Sequence, residues 1–158
     1  MLRAHLSFAV AAVLALSLSA CGLQMPSDPH GTLDRARHGV MRVGVTENAP
    51  WVQLSGSSAP AGTEPELLAG FAESIDSEIE WTVASESILF DSLEKGELDV
   101  VAGGFLEDTL WAEKGAVTLP YAETTTEEGP EKHVMIVRMG ENALLVALER
   151  FLLKEKTP

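Results

Sequence analysis

Hydrophobic and polar residues alternate along this chain with two different periods. Short apolar runs have the length of β-strands, and between them apolar residues recur every three or four positions, the spacing of an amphipathic helix. The extended segments predicted in this way cover residues 40–45, 80–84, 98–102, 116–121 and 133–138. The predicted helices cover residues 64–76, 85–96, 108–112 and 141–154. Repeated strand–helix–strand units predict an α/β domain with a mainly parallel sheet flanked by helices.

Local signals mark the ends of two of these helices. Thr63 and Glu66 have the spacing of a capping box, in which each side chain bonds a free backbone N–H at the helix start. Ser85 or Ser87 is predicted to cap the next helix. Gly96 follows its last turn, where a glycine in the left-handed conformation commonly ends a helix.

A polar segment lies between the last two extended segments. Residues 123–132 contain four glutamates and one lysine and therefore carry a net charge of −3. The segment has no apolar residue that a core would bury, and its glycine and proline favour a turn. We therefore predict a solvated loop here.

The amino terminus has the features of an export signal. Arg3 precedes an apolar run from Leu6 to Leu18, which is too short to span a bilayer as a helix but suits a signal-peptide core. The tetrapeptide that ends at Cys21 resembles the lipobox of bacterial lipoproteins, in which cleavage precedes the cysteine and its sulfur receives a diacylglycerol. We predict a lipoprotein signal over residues 1–20 and lipidation of Cys21. The alternative is an ordinary secretory signal followed by a chance cysteine.

The predicted lipid anchor determines where the domain is expected to lie. Residues 21–38 are rich in turn formers and predict a flexible tether, and residues 39–158 are assigned to the domain. The protein is then expected on the periplasmic or cell-surface side, attached to a membrane through its lipid. By resemblance to enterobacterial sorting, Gly22 favours the outer membrane if the cell has one.

Composition excludes several classes of function. The chain has 24 acidic and 11 basic side chains and a formal net charge of −13, so we expect no nucleic-acid partner. Its single cysteine cannot form an internal disulfide. A Walker A loop, a paired-histidine zinc motif and a nucleophile elbow are all missing from the sequence. The sequence therefore indicates no catalytic residue, no metal site and no cofactor.

One stretch carries a family resemblance. Leu93-Glu-Lys-Gly-Glu-Leu-Asp-Val-Val-Ala-Gly-Gly104 resembles the signature region of bacterial extracellular solute-binding proteins of family 3, the periplasmic amino-acid-binding type that feeds ABC importers. Other segments match the family in the same order, at residues 42–51, 62–67, 117–121 and 133–142. The resemblance covers roughly residues 40–154. It implies a periplasmic-binding-protein-like fold, a small-molecule solute as ligand, and an ABC permease or another envelope protein as partner.

Two departures from the family pattern change the expected number of lobes and the expected recognition of the ligand. Full members insert a second lobe, about the size of a small domain, between the outgoing and returning hinge strands. Here only residues 122–132 separate those segments, so we expect a single lobe with the second lobe missing. The family also holds the ligand carboxylate with an arginine after the third strand, and Trp111 stands near that position. No arginine lies between Arg42 and Arg138, so carboxylate recognition of the usual kind is not expected.

The expected ligand site lies at the carboxyl ends of the strands, where open α/β sheets place their ligands. The residues expected to line it are Glu47, Trp51, Gly103, Gly104, Phe105 and Trp111. Trp51 is expected either to stack on a ligand or to cover the sheet edge, and Trp111 either to contact the ligand or to pack onto the domain. The acidic residues of the same loop are interpreted as solvated surface, with cation binding as the alternative; they are Glu107, Asp108 and Glu113.

Two classes of function remain. The first is a membrane-tethered solute-binding protein that serves or senses transport. The second is an accessory lipoprotein that has lost ligand binding and docks on another envelope protein. Enzyme relatives of this fold use residues of both lobes or an additional lysozyme-like domain, so an enzyme is not expected.

Overall fold

The computed structural model describes residues 27–56, 59–127 and 129–156, so Cys21 and the signal segment lie outside it. The strands are β1 (Val40–Val45), β2 (Glu78–Val83), β3 (Val100–Leu106), β4 (Gly115–Val117), β5 (Ala122–Thr126) and β6 (Gly129–Arg138). The helices are α1 (Thr32–Ala36), α2 (Thr63–Ser74), α3 (Glu86–Lys95) and α4 (Asn142–Glu155), and Leu110–Glu113 form a 3-10 helix. Within the described ranges, no helix has both the length and the apolar character needed to cross a membrane.

All six strands belong to one sheet with the order β2-β1-β3-β6-β4, and β5 also pairs with β6. Strand β1 runs parallel to β2 and β3, whereas β6 is antiparallel to β3, β4 and β5. The predicted single α/β lobe is confirmed, but the sheet is mixed rather than mainly parallel. A parallel return strand needs a crossover of a dozen or more residues, and the short link between β5 and β6 permits only a hairpin.

The prediction of a solvated loop over residues 123–132 is wrong. Strands β5 and β6 pair continuously from Ala122 opposite His133 to Thr126 opposite Gly129. The threonines of β5 favour extended backbone, and an edge strand keeps polar side chains in solvent while its backbone pairs. A polar composition therefore concealed a hairpin.

Helices cover both faces of the sheet. Helices α1, α2 and α4 pack on one face around Met41, Val43 and Val100. Helix α3 covers the other face with Leu89, Phe90 and Leu93, which pack against Val101, Phe105, Val134 and Ile136. The strands between these layers are buried on both faces, as the nearly continuous apolar runs of β1 and β3 indicate.

The helix ends agree only in part with the sequence signals. Gly96 ends α3 with φ of 74°, as predicted. The prediction of a capping box at the start of α2 is wrong, because Gly62 occupies the N-cap position and no side chain caps the helix. Instead, the N–H of Glu64 donates to the carbonyl oxygen of Trp51 at 3.1 Å, so the loop after β1 supplies an acceptor for the start of α2.

Residues 27–38, assigned to a tether from the sequence, pack onto the domain. Leu33 and Ala36 of α1 are buried in the core. The guanidinium of Arg35 donates to the carboxylate of Asp99 at 2.6 Å, and that carboxylate also accepts from the backbone and side chain of Arg42. The apolar residues of α1 are too few to give a recognisable period, which is why the sequence did not reveal this helix.

Candidate functional site

The carboxyl ends of β1 and β3 meet at one edge of the sheet. The N–H of Thr46, just after β1, donates to the carbonyl oxygen of Ala102 in β3 at 3.2 Å. The next residue, Glu47, is exposed. The side-chain amide of Asn48 donates to the carbonyl oxygen of Gly103 at 2.8 Å and fixes the loop after β1 against β3. We call this the carboxyl edge.

Gly104 brings the backbone of β3 directly against Trp51. Its φ is 69°, in the left-handed region that favours glycine. A Cβ atom at this position would lie only 2.4 Å from Cδ1 of Trp51 and 2.7 Å from Nδ2 of Asn48. Any other residue would displace the indole, so the site requires glycine here for two independent reasons.

The half-buried indole of Trp51 is supported by two other rings. Its ring centroid lies 3.9 Å from that of His133, with the planes tilted by 32°. Tyr121 meets the indole edge-on, with ring centroids 5.9 Å apart. Trp51 therefore covers the sheet edge and keeps part of its surface accessible.

His133 is buried at this site with an exposed fraction of 4%. Its Nε2 lies 2.9 Å from the hydroxyl oxygen of Thr124. Its Nδ1 is buried and has no hydrogen-bond partner among the described residues. The register of the unpredicted hairpin brings His133 here, since it places the residue opposite both Ala122 and Leu106.

Glu64, another residue that the sequence analysis missed, is completely buried behind Trp51. One carboxylate oxygen accepts the N–H of Gly104 at 2.9 Å, and the other accepts the hydroxyl of Tyr121 at 2.8 Å. Burial raises the pKa of Glu64 from its usual 4.5 to about 7, against the opposing effect of these hydrogen bonds. Burial, together with the adjacent Glu64 carboxylate, also raises the pKa of Tyr121.

Phe105 and Trp111 face a different neighbour. Trp111 stacks on Phe90 of α3 with ring centroids 4.3 Å apart and planes within 8°, and its indole N–H donates to Glu86 at 2.6 Å. Phe105 meets Phe90 edge-on at 5.4 Å. These contacts correspond to the packing role considered for Trp111. The carboxyl edge thus gathers Glu47, Trp51, Gly103 and Gly104 on one side, while Phe105 and Trp111 pack toward α3.

Charged side chains at the carboxyl edge include an ion pair. Lys132 donates to the carboxylate of Glu107 at 3.1 Å. Within the described part of the chain, no group of three or more His, Cys, Asp or Glu side chains is placed to hold a metal ion.

Two concavities of the described lobe lie away from the residues expected to bind ligand. A concavity of about 830 Å³ lies at the opposite edge of the sheet, where His38, Asp76 and Trp81 contribute to its lining. Another of about 530 Å³ lies beside the hairpin, between Glu107 and Lys132. Neither concavity is lined by the residues expected to bind ligand.

Known proteins resemble the chain at the level of both sequence and fold. Residues 41–157 match the family described as bacterial extracellular solute-binding proteins, family 3. The membrane-bound lytic murein transglycosylase F of Vibrio cholerae is 38% identical over 91 residues, which cover 56% of this chain and 17% of that relative. The chain therefore matches about a sixth of the length of this curated relative.

The curated relatives contradict the expectation that this chain is not an enzyme. Seven curated relatives match, and all carry the name of lytic murein transglycosylase F, an enzyme. The expectation was wrong because it required residues of both lobes or a lysozyme-like domain, whereas the named enzymes are similar to this chain over only a part of their length.

Solved structures share the single-lobe fold. A mutant of domain 1 from TmArgBP of T. maritima, in its arginine-bound form, has a TM-score of 0.70 at 21% identity and covers 80% of this chain and 99% of that chain. The L-cystine solute receptor of Neisseria gonorrhoeae has a TM-score of 0.66 at 11% identity and covers 78% of this chain and 90% of that chain. With the family match over residues 41–157, the chain belongs to family 3 of the bacterial extracellular solute-binding proteins.

Proposed function

We propose that this lobe binds a small cationic or neutral solute at the carboxyl edge, on the accessible surface of Trp51. The observation that carries the proposal is the support of this half-buried indole by His133 and Gly104, which leaves part of its surface accessible. A supported aromatic surface suits an organic cation, because cation–π contacts contribute roughly 0.5–2 kcal/mol.

The missing arginine argues against a ligand held by its carboxylate. Arg35 and Arg42 are engaged with Asp99 at the start of β3, the edge opposite the proposed site. Burying a carboxylate without a cationic partner costs several kcal/mol. The remaining charges of the loop, on Glu107, Asp108 and Glu113, would repel it further.

Binding by one lobe alone has a parallel among proteins of this fold. The domain 1 from TmArgBP is described in an arginine-bound form, and its whole length is about that of the lobe described here. A second lobe is therefore not a general requirement for ligand binding in this fold. We propose Glu47, Trp51, Gly103 and Gly104 as ligand residues, with Phe105 and Trp111 forming the adjacent wall.

We further propose that the lobe is held outside the cytoplasm by a lipid on Cys21. Curated relatives of the chain are named membrane-bound enzymes, and the family is described as extracellular. Ser27, six residues after Cys21, already contacts the start of α4, since its carbonyl oxygen accepts the N–H of Ala143 at 2.9 Å. This short connection would keep the lobe near the membrane that carries the lipid.

A second candidate is an accessory role in the envelope. The observation in its favour is the 38% identity to part of a lytic murein transglycosylase F. In that case the carboxyl edge would dock on another envelope protein, such as an ABC permease or a peptidoglycan-cleaving enzyme.

Thermal-shift measurements distinguish the two candidates. A solute that binds only the folded protein raises the melting temperature by mass action. The purified protein would be screened with amino acids, polyamines and divalent cations. We expect arginine or putrescine to raise the melting temperature. No response to any of these compounds would reject solute binding and favour the accessory role.

A further inference from the structure

We propose that Glu64 is a positioning residue, which holds Trp51 in place by joining three separate segments of the candidate site. The inference rests on the proposed function for its significance to binding. It concerns the geometry of Trp51, however, and is tested without a ligand. Neither the sequence motifs nor the surface of the lobe reveal this residue, because its side chain is completely buried.

The contacts of Glu64 reach two of the segments that support the indole and the loop that carries it. Its N–H donates to the carbonyl oxygen of Trp51 at 3.1 Å, which fixes the loop after β1 to the start of α2. Its carboxylate accepts the N–H of Gly104 at 2.9 Å and the hydroxyl of Tyr121 at 2.8 Å. The backbone of Glu64 thus holds the loop after β1, and its side chain links β3 to the segment that enters the hairpin.

Two of these partners press directly on Trp51. The indole of Trp51 fills the space that a Cβ atom at Gly104 would occupy. The hydrogen bond from the Gly104 N–H to Glu64 therefore fixes the stretch of backbone on which the indole lies. Tyr121 contacts the same indole edge-on, and its hydroxyl is anchored only by Glu64 among the hydrogen bonds of the described residues. Movement of either partner would free the ring.

An acid is a costly choice for a purely structural role at this position. The contacts of its carboxylate are hydrogen bonds from Gly104 and Tyr121, and no cationic side chain pairs with it among the described residues. An apolar side chain of similar volume is often neutral or stabilising in place of a buried ion. The carboxylate is useful here because it accepts from two donors at once, and removing it would leave both of them buried and unsatisfied.

The test uses a parent protein in which Trp51 is the only tryptophan, obtained with Trp81→Phe and Trp111→Phe. Glu64→Met fills the volume of the side chain but accepts neither hydrogen bond. Glu64→Gln retains an oxygen for Gly104 and offers an amide donor to the oxygen of Tyr121. Glu141→Met is the matched control, since Glu141 is also a buried glutamate, 1% exposed, but contacts His30 at the opposite edge of the sheet.

The readout is the emission maximum of Trp51 and its protection from acrylamide, measured together with the melting temperature. We expect Glu64→Met to shift the emission to longer wavelength and to lose the protection, while Glu64→Gln retains both. Glu141→Met should lower the melting temperature without moving either signal of Trp51. Unchanged emission and protection in folded Glu64→Met, or an equal change in Glu141→Met, would overturn the proposal.

Tyr121→Phe keeps the proposal testable if Glu64→Met does not fold, because it removes only one hydroxyl. It should lose part of the acrylamide protection, and full protection would contradict the role of Glu64. Titration of the parent with arginine separates the two proposals. If the parent binds no arginine but Glu64→Met still changes the emission and acrylamide protection of Trp51, only the proposed function is rejected.

Discussion

Trp51, in the loop after β1, lies on His133 of β6 with ring centroids 3.9 Å apart. The pair joins the loop after β1 to β6, the second strand of the hairpin. It exists because β5 and β6 pair in a register that places His133 beside the carboxyl edge. The candidate site is therefore built from both ends of the domain sequence.

We expect His133→Ala to weaken the lobe and loosen Trp51. Removing a buried ring takes away the stack and leaves space beneath the indole, which should lower the free energy of unfolding by about 1–3 kcal/mol. Urea unfolding measures the change. His38→Ala is the control, because His38 is exposed at the opposite edge and pairs with the exposed Asp76. A loss of stability no greater than that of the control would show that the stack contributes nothing.

The raised pKa of Glu64 predicts a particular dependence of stability on pH. A carboxyl whose pKa rises from 4.5 to about 7 on folding favours the folded state fully below pH 4.5. That contribution, up to roughly 3 kcal/mol, is lost as the pH rises through 7. Glu64→Gln cannot ionise, so we expect it to match the natural protein near pH 4 and to exceed its stability at pH 8.

Chemical unfolding across this pH range provides the measurement for Glu64→Gln. Asp28, whose pKa is also raised by burial, contributes in the same direction, so the difference between the two proteins isolates Glu64. Glu123→Gln, a change of an exposed carboxylate in β5, should leave the profile unchanged. Parallel profiles for Glu64→Gln and the natural protein would contradict the assignment.

The sequence predicted the parallel half of the fold well. Strands β1 and β3 carry nearly continuous apolar runs, and α3 ends at a glycine whose left-handed conformation was expected. Helix α1 has only five residues, and β5 is a polar edge strand, so neither carries a hydrophobic period long enough to detect. The antiparallel half could not be predicted in this way, because β6 pairs with β3 and β4, which are distant from it in sequence.

The sequence placed part of the candidate site by topology. Trp51 follows β1, and Gly103 and Gly104 lie in β3, so the pairing of these two strands brings the three residues together. Glu64 was hidden because it belongs to an apparent capping box, in which acidic residues near a helix start are ordinary. His133 was hidden because its burial depends on the hairpin register. These residues come into contact only in the folded protein.

Asp99 is expected to hold α1 on the domain. Its completely buried carboxylate accepts from Arg35 at 2.6 Å and from Arg42 at 2.7 Å. Breaking a buried ion pair of this kind costs roughly 3–5 kcal/mol, so Asp99→Ala should be strongly destabilising in urea. It should also expose the amide hydrogens of α1 to exchange. Asp91→Ala, which removes an exposed pair with Lys114, should have a much smaller effect.

Replacement of Cys21 tests the proposed anchor. Cys21→Ser removes the sulfur that would carry the diacylglycerol, so we expect the protein to move from the membrane fraction to the soluble fraction. Metabolic labelling with a radioactive fatty acid should be lost in parallel. A Cys21→Ser protein that stays with membranes and keeps its signal segment would indicate an uncleaved anchor instead.

The most direct test of solute binding at the carboxyl edge is calorimetric titration of the purified Cys21→Ser protein. Arginine, putrescine and glutamate are titrated into it, and into variants that add Trp51→Ala or Trp111→Phe. We predict saturable binding of arginine or putrescine that Trp51→Ala abolishes and Trp111→Phe retains, with no binding of glutamate. Glutamate binding that survives Trp51→Ala would contradict both the site and the chemistry assigned to it.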